Sequence, residues 1–210
     1  MQIENFLFSV SDALRWPVLV AVLLYGAFLT GAAASTIRSD ALATLFYVSN
    51  WWFIADGASY FDQFSDPSPL RHTWSLSIEE QWYLLLPLAL LLLLPRLRSR
   101  RWLVALLLVL GVASAIWMAI LAPTDGADAS RVYYGTDTRI QALLVGSALA
   151  ALLTPGVLER LKPLAHIWGW IGLVAVAAGI MIMGESWPWT FTGGFLVFAV
   201  AVAAMLLSVV

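Results

Sequence analysis

Cysteine is absent from the 210 residues. That excludes disulfides, thiolate-held metals and a cysteine acyl-enzyme. It leaves the compartment open, because a helix bundle in lipid needs no covalent staples. Charge is scarce as well. Eleven Lys and Arg against 13 Asp and Glu give a net charge of −2 and only 11% charged residues, where a soluble domain carries about 25%. Nothing in that balance suits a nucleic-acid partner. Histidine occurs only at His72 and His166, far from any HExxH-type spacing, so no metal and no bound cofactor is expected. A glycine-rich phosphate loop, a G-x-S-x-G elbow and a His-x4-Asp pair are all missing.

What remains is apolar. Hydrophobic residues make up 61% of the chain, too many for polar side chains to cover, so lipid is the expected solvent. The first residues carry Glu4 and Asp12 without a basic stretch, and the apolar run behind them is too long for a cleaved signal. It reads as a retained anchor.

A membrane span takes about 20 mostly apolar residues. Six segments meet or approach this: 16–34, 76–95, 102–122, 139–154, 165–184 and 193–210. Segment 41–56, with its Asn-Trp-Trp cluster, is short for a seventh span and is read in preference as a helix lying in the interface. The fold class is therefore all-α, a polytopic transmembrane bundle of about six spans with an outer interfacial segment, forming a single domain over 1–210. Orientation follows from the basic hairpin with Arg96, Arg98, Arg100 and Arg101, which should be cytoplasmic. Arg15, Arg160 and Lys162 then fall inside too, and most acids fall outside. The expected place is the cytoplasmic (inner) membrane, with segments 35–75, 123–138 and 185–192 on the outer face.

Polar residues meet the membrane at two places. In the first, a Pro-punctuated loop with Arg71 and His72 runs into a helix whose first turn holds Glu79, Glu80 and Gln81. Ser77 and Glu80 have capping-box spacing, and acids suit a helix N-terminus. Trp82 and Tyr83 would form an interfacial belt. Glu79 lacks such a structural role. It shares a helix face with Ser75 and Tyr83, and an acid at the hydrocarbon boundary is a functional candidate.

In the second, Tyr133, Tyr134, Asp137 and Arg139 lead into segment 139–154. Thr138 and Gln141 fit a capping box, and Asp137 is an alternative cap. Arg139 stands in a first helical turn, where the dipole disfavours a cation. It calls for a partner, whether Asp137, a glutamate or an anionic ligand, or else it snorkels to the interface. Ala142, Gly146 and Ala150 recur every fourth residue and would let another helix approach. His166, behind a basic turn, is expected at the interface.

The run 67–94 resembles the central signature of the acyltransferase-3 family, the membrane O-acetylases of O-antigen, peptidoglycan and other glycans. His72, Trp74, Ser75, Glu79, Glu80, Gln81, Tyr83 and Pro87 stand in that family's order and spacing. Tyr133, Tyr134, Asp137 and Arg139 match a second family stretch, and LFYVSNWWF and SYF resemble its outer segment. Members of that family usually have more spans, so the resemblance implies a chain truncated at both ends, lacking front helices with a catalytic His and a late His-Trp motif.

The resemblance implies transfer of an acyl group, most often acetyl, from cytoplasmic acetyl-CoA to a hydroxyl of a glycan or lipid-linked sugar. Glu79 would pair with a catalytic His, for which His72 could substitute. Arg139 would hold the anion or oxyanion with Asp137 orienting it. Ser75, Glu80, Tyr83, Tyr133 and Tyr134 would bind or orient substrate. A non-catalytic membrane scaffold or truncated pseudoenzyme stays open as a rival. A transporter component is a further rival, but the spans hold almost no polar residues at mid-depth. Oligomeric state is not legible.

Overall fold

The computed structural model describes residue 20 and residues 32–62, 68–97, 99–124, 127–183 and 189–208, with side chains from 35 onward in the first helix. The described residues form helices and connecting turns. The 16–34 span and part of the 185–192 loop fall largely outside them.

Two compact units divide the chain: Met1–Ala58 with Asp62–Ile78, and Ser59–Phe61 with Glu79–Val210. In the first, α1 covers Ala32–Leu45 and α2 covers Ser49–Ala55. Segment 41–56 is thus not one interfacial helix. The chain turns at 46–48, where Tyr47 takes a left-handed φ of 56° and Val48 N–H donates back to the Ala43 carbonyl at 2.8 Å. Asp40, Thr44, Ser49, Asn50, Thr73 and Ser77 are all buried. Burial of hydroxyls is tolerable only with partners, and they partner one another. Thr73 Oγ1 lies 2.9 Å from Thr44 Oγ1 and 3.2 Å from Ser49 Oγ, and Ser49 Oγ lies 2.8 Å from Ser77 Oγ. Trp52 Nε1 donates to Asp40 Oδ1 at 2.9 Å.

Helix α3, Thr73–Leu93, begins before the Ser77 start that the sequence suggested. Ser77 and Glu80 consequently lie inside the helix, and the expected capping box does not form. Instead Ser77 is held by a tertiary contact with Ser49, and at the helix start Thr73 Oγ1 donates to the nearby Leu70 carbonyl at 2.7 Å.

The second unit continues with α4 (Arg100–Leu121), the short α5 (Ser130–Tyr134) and α6 (Thr136–Arg139), and α7 (Gln141–Leu152). Then come α8 (Pro155–Leu161), a 3-10 turn (Lys162–Leu164), α9 (Ala165–Ile182), a kinked turn (Thr190–Gly194) and α10 (Phe195–Leu206). One core joins Trp82, Leu103, Leu107, Leu144 and Ala148, and another joins Met118, Ala129, Val132 and Phe191. Trp82 therefore turns inward instead of forming a belt, while Tyr83 remains exposed.

The face α7 uses is also not the expected one. Leu144, Val145 and Ala148 pack inward, with Leu144 Cβ 3.6 Å from where a Cβ on Gly111 would stand. Ala142, Gly146 and Ala150 are exposed, and a Cβ on Gly146 would meet nothing within 4 Å. Close helix approach occurs instead between α9 and α10. There a Cβ on Gly172 would clash with Met205 N and stand 2.6 Å from the Ala201 carbonyl oxygen.

Outward faces are strongly apolar: Leu91 is 71% exposed and Met181 88%. Surfaces of this kind belong in lipid. Among the described residues, three helices are long and apolar enough to cross a membrane: Thr73–Leu93, Arg100–Leu121 and the continuous Pro155–Ile182. Gln141–Leu152 and Thr190–Leu206 are shorter apolar helices. At 1.5 Å per residue, α7 extends only about 18 Å, less than the expected 139–154 span would need.

Candidate active site around α5 and α6

The site is assembled on a tight double turn. Asp128 Oδ1 accepts from Ser130 N–H at 2.8 Å and from its hydroxyl at 2.5 Å. Partial burial opposes ionisation of Asp128, but these bonds and a further one from Ser59 hold its carboxyl below the ordinary range. Ser130 Oγ also accepts from Tyr60 N–H at 2.7 Å, which pins segment Ser59–Phe61 to the start of α5.

An aromatic cluster results. The Tyr60 ring stacks on Tyr133 at 4.3 Å and meets the edge of Tyr134 at 5.8 Å, while Phe61 meets Tyr133 at 5.2 Å. Tyr134 is fully buried. Arg139 is half-buried, with its Cζ 4.9 Å from the Tyr133 centroid and 4.0 Å from that of Phe195. A guanidinium this close to two aromatic faces gains cation–π attraction. Arg139 closes the single turn of α6, and its side chain turns onto the rings. Burial and a hydrogen bond with Tyr60 raise the Tyr133 phenol to about 12, against the pull of Arg139. It remains a neutral hydroxyl at physiological pH.

Asp137 is engaged from another direction. Arg131 donates to it twice, Nη1 to Oδ1 at 3.1 Å and Nη2 to Oδ2 at 2.8 Å. Trp117 Nε1 donates to Oδ2 at 2.8 Å, and Ser114 Oγ donates to its main-chain carbonyl at 2.7 Å. Partial burial raises the carboxyl, but the Arg131 and Trp117 bonds and the Arg131 charge prevail and hold it below the usual range. Glycine at 135 leaves room for this pair, because a Cβ there would strike Arg131 Nη1 and come within 2.5 Å of Asp137 Oδ1, so a side chain would displace them.

The Thr138–Gln141 capping box is replaced by other bonds. Thr138 Oγ1 faces the Val132 and Gly135 carbonyls at 2.8 and 2.9 Å, and Gln141 Nε2 donates to the Thr138 carbonyl at 2.9 Å.

Helix α3 joins this unit through Gln81, whose Oε1 accepts from Thr136 Oγ1 at 2.6 Å. Glu79, Glu80 and Tyr83 occupy the same helix, with Glu79 and Tyr83 exposed and Glu80 half-buried. In the first unit, His72 is exposed and Ser75 is half-buried, its Oγ 3.4 Å from the His72 carbonyl. The structure thus brings Tyr133, Tyr134 and Arg139 together with Tyr60, Phe61 and Phe195, and holds Asp137 against Arg131. Gln81, Arg131, Trp117, Ser114 and Tyr60 were not among the sequence candidates for the site. Of these, Gln81 carried a signal as the polar neighbour of two acids, and Tyr60 as part of the SYF stretch.

The chain matches no protein-family model and no solved structure. It is 41% identical over 197 residues to the peptidoglycan O-acetyltransferase OatA of Listeria monocytogenes, which is 91% of this chain and 32% of that protein. It is 39% identical over 170 residues to the O-acetyltransferase OatA of Staphylococcus aureus, 79% of this chain and 28% of that protein. The chain thus spans less than a third of the length of these relatives.

Proposed function

We propose that the chain belongs to a membrane O-acyltransferase of the acyltransferase-3 kind, transferring an acyl group, most simply acetyl, to a hydroxyl of a cell-surface glycan. Peptidoglycan is the first acceptor to test, and acetyl-CoA is the proposed donor. The observation that carries this reading is the 41% identity over 91% of the chain with a protein named for that reaction. A match of that extent takes in both the α3 acids and the α5–α6 turn. In this reading the chain sits in the cytoplasmic membrane with about six spans and the 95–101 hairpin inside.

The chemistry asks for a base to take the hydroxyl proton, a cation or donors for the developing oxyanion, and a fixed acceptor. The acceptor oxygen forms its bond to the acyl carbonyl carbon, the bond from that carbon to its carrier (the CoA thioester sulfur, or an enzyme group acylated from it) breaks, and the carrier leaves with a proton. Glu79 is assigned to hold a proton or orient an imidazole base, with His72 as one candidate. Arg139 is assigned to the carbonyl oxygen that gains charge. Its ring stack supports this role, because a guanidinium already held in place needs little reorganisation. Ser75, Glu80 and Tyr83 are assigned to the acceptor, and Tyr133 and Tyr134 to shaping the Arg139 pocket.

Glu79→Gln should abolish transfer, read as base-labile acetate on the cell wall, without reducing the amount of protein in the membrane. Acetate at the wild-type level in that variant would remove Glu79 from the mechanism.

A further inference from the structure

Around the first turns of α4, two apolar slots share Arg100; a third, beside Arg96 and Trp102, does not reach it. One, of about 520 Å³, runs between Leu86 and Leu90 of α3, Leu103 and Leu107 of α4, and Ala151 of α7. The other, of about 440 Å³, is walled by Val104 and Leu108 of α4 and by Ala151 and Leu152 of α7. Successive helix positions are about 100° apart, so the 103/107 and 104/108 pairs present neighbouring stripes, one to each slot. Both slots extend about two turns from the same end of α4, roughly 11 Å.

Arg100 lines both slots at that end, and Ala151 is their other common wall. Ser99 adds a hydroxyl to the first, and Arg101 and Thr154 add a guanidinium and a hydroxyl to the second. Among the described residues, no acidic side chain pairs with Arg100 or Arg101, and both are exposed. The helices forming the slots have outward faces that belong in lipid, as Leu91 and Val109 show. Two apolar channels converging on one cationic, hydroxyl-bearing mouth match an amphiphile with two chains and one anionic head.

We propose that this end of the second unit is a specific site for one anionic diacyl phospholipid. Its chains occupy the two slots and its phosphodiester is held by Arg100, with Arg101, Ser99 and Thr154 around it. The site is separate from the α5–α6 cluster and does not depend on the acyltransfer reading. Basic mouths between membrane helices are a recurrent way of selecting anionic head groups.

Native mass spectrometry of the full chain, released from mixed micelles holding equal amounts of phosphatidylglycerol and phosphatidylcholine with identical chains, tests the site. The wild-type protein should keep one phosphatidylglycerol at least about fivefold more often than phosphatidylcholine. Arg100→Gln should bring the two near parity, and Arg160→Gln, a basic change that lines neither slot, should leave the preference intact. Ala151→Trp should lose the retained lipid, because an indole on the wall common to the two slots leaves no room for both chains. Equal retention of the two lipids by the wild type would overturn the proposal, as would a preference that survives Arg100→Gln. A preference lost equally in Arg160→Gln would also overturn it, since diffuse charge would then explain the selection. Displacement of the bound lipid by stoichiometric myristoyl-CoA would assign the slots to a thioester and overturn it as well.

Discussion

Asp137 takes two donors from Arg131 and one from Trp117, yet its side chain is 32% exposed and that of Arg131 is 39% exposed. Solvent screening keeps such a pair to about 1 kcal/mol or less. The sign of its pH dependence is fixed nonetheless. The folded carboxyl lies below its ordinary value, so the contribution is fully present above the unfolded value near 4 and is lost as pH falls through the lower folded value. Asp137→Asn should therefore melt below the wild type at pH 7 and at pH 5, with the gap closing under about pH 4. Tryptophan fluorescence melts in detergent would measure it, and a gap unchanged down to pH 3 would mean that the charge of Asp137 is not its source. Arg139 poses a separate test at the same scale. Lys cannot lie flat over two rings as a guanidinium does, and losing about 1–2 kcal/mol of cation–π attraction should lower the acetylation rate of Arg139→Lys about tenfold or more. Activity close to wild type would show that a point charge suffices there.

Among the elements, α9 and α10 approach closely at Gly172, and α7 leaves its small residues open. Gly172→Leu should force these two helices apart at about 1–3 kcal/mol, visible as a lower melting midpoint. Gly146→Ala should be neutral or stabilising by up to about 1 kcal/mol, since the added methyl meets nothing within 4 Å and alanine favours helix. The opposite ranking would restore the small-residue stripe of α7 as a packing face.

That stripe shows where sequence reading reaches its limit at this level. The long helices were legible because a continuous apolar run needs no partner to identify it. The packing face was not, because Leu144 and Ala148 carry the same apolar signature as the residues turned outward. The Ser49–Ser77 bond joins positions 28 apart, and Thr136 reaches Gln81 across 55; neither separation obeys a helical period. Arg131 and Asp137 are six apart around Gly135, outside the three- and four-residue rule that pairs charges along one helix. Glu79 and Arg139 stood out because they are charges beside apolar runs. The rings that receive Arg139 come from 133 and 195, and no spacing connects them.

For the molecule as a whole, the decisive quantity is how many times the chain crosses the bilayer. Helix α4, with 22 residues, extends about 33 Å, enough for a core of about 30 Å. Ser99 and Thr124, which flank it, must then face opposite sides. Helix α7 alone falls short, but residues 136–152 are helical apart from the single residue Ile140, and together they extend about 25 Å. If they cross with modest local thinning of the bilayer, Glu159 returns to the side of Ser99. Because the chain has no cysteine, single replacements can be labelled without background. In intact cells an impermeant maleimide should label Thr124→Cys, and should label Ser99→Cys and Glu159→Cys only after permeabilisation. Labelling of Glu159→Cys in intact cells would mean that 136–152 folds back instead of crossing, and the six-span reading would fail. Labelling of Ser99→Cys in intact cells with Thr124→Cys protected would invert the orientation. The α5–α6 cluster would then face the cytoplasm, where no cell-surface glycan could reach it, and the proposed acceptor would have to be abandoned.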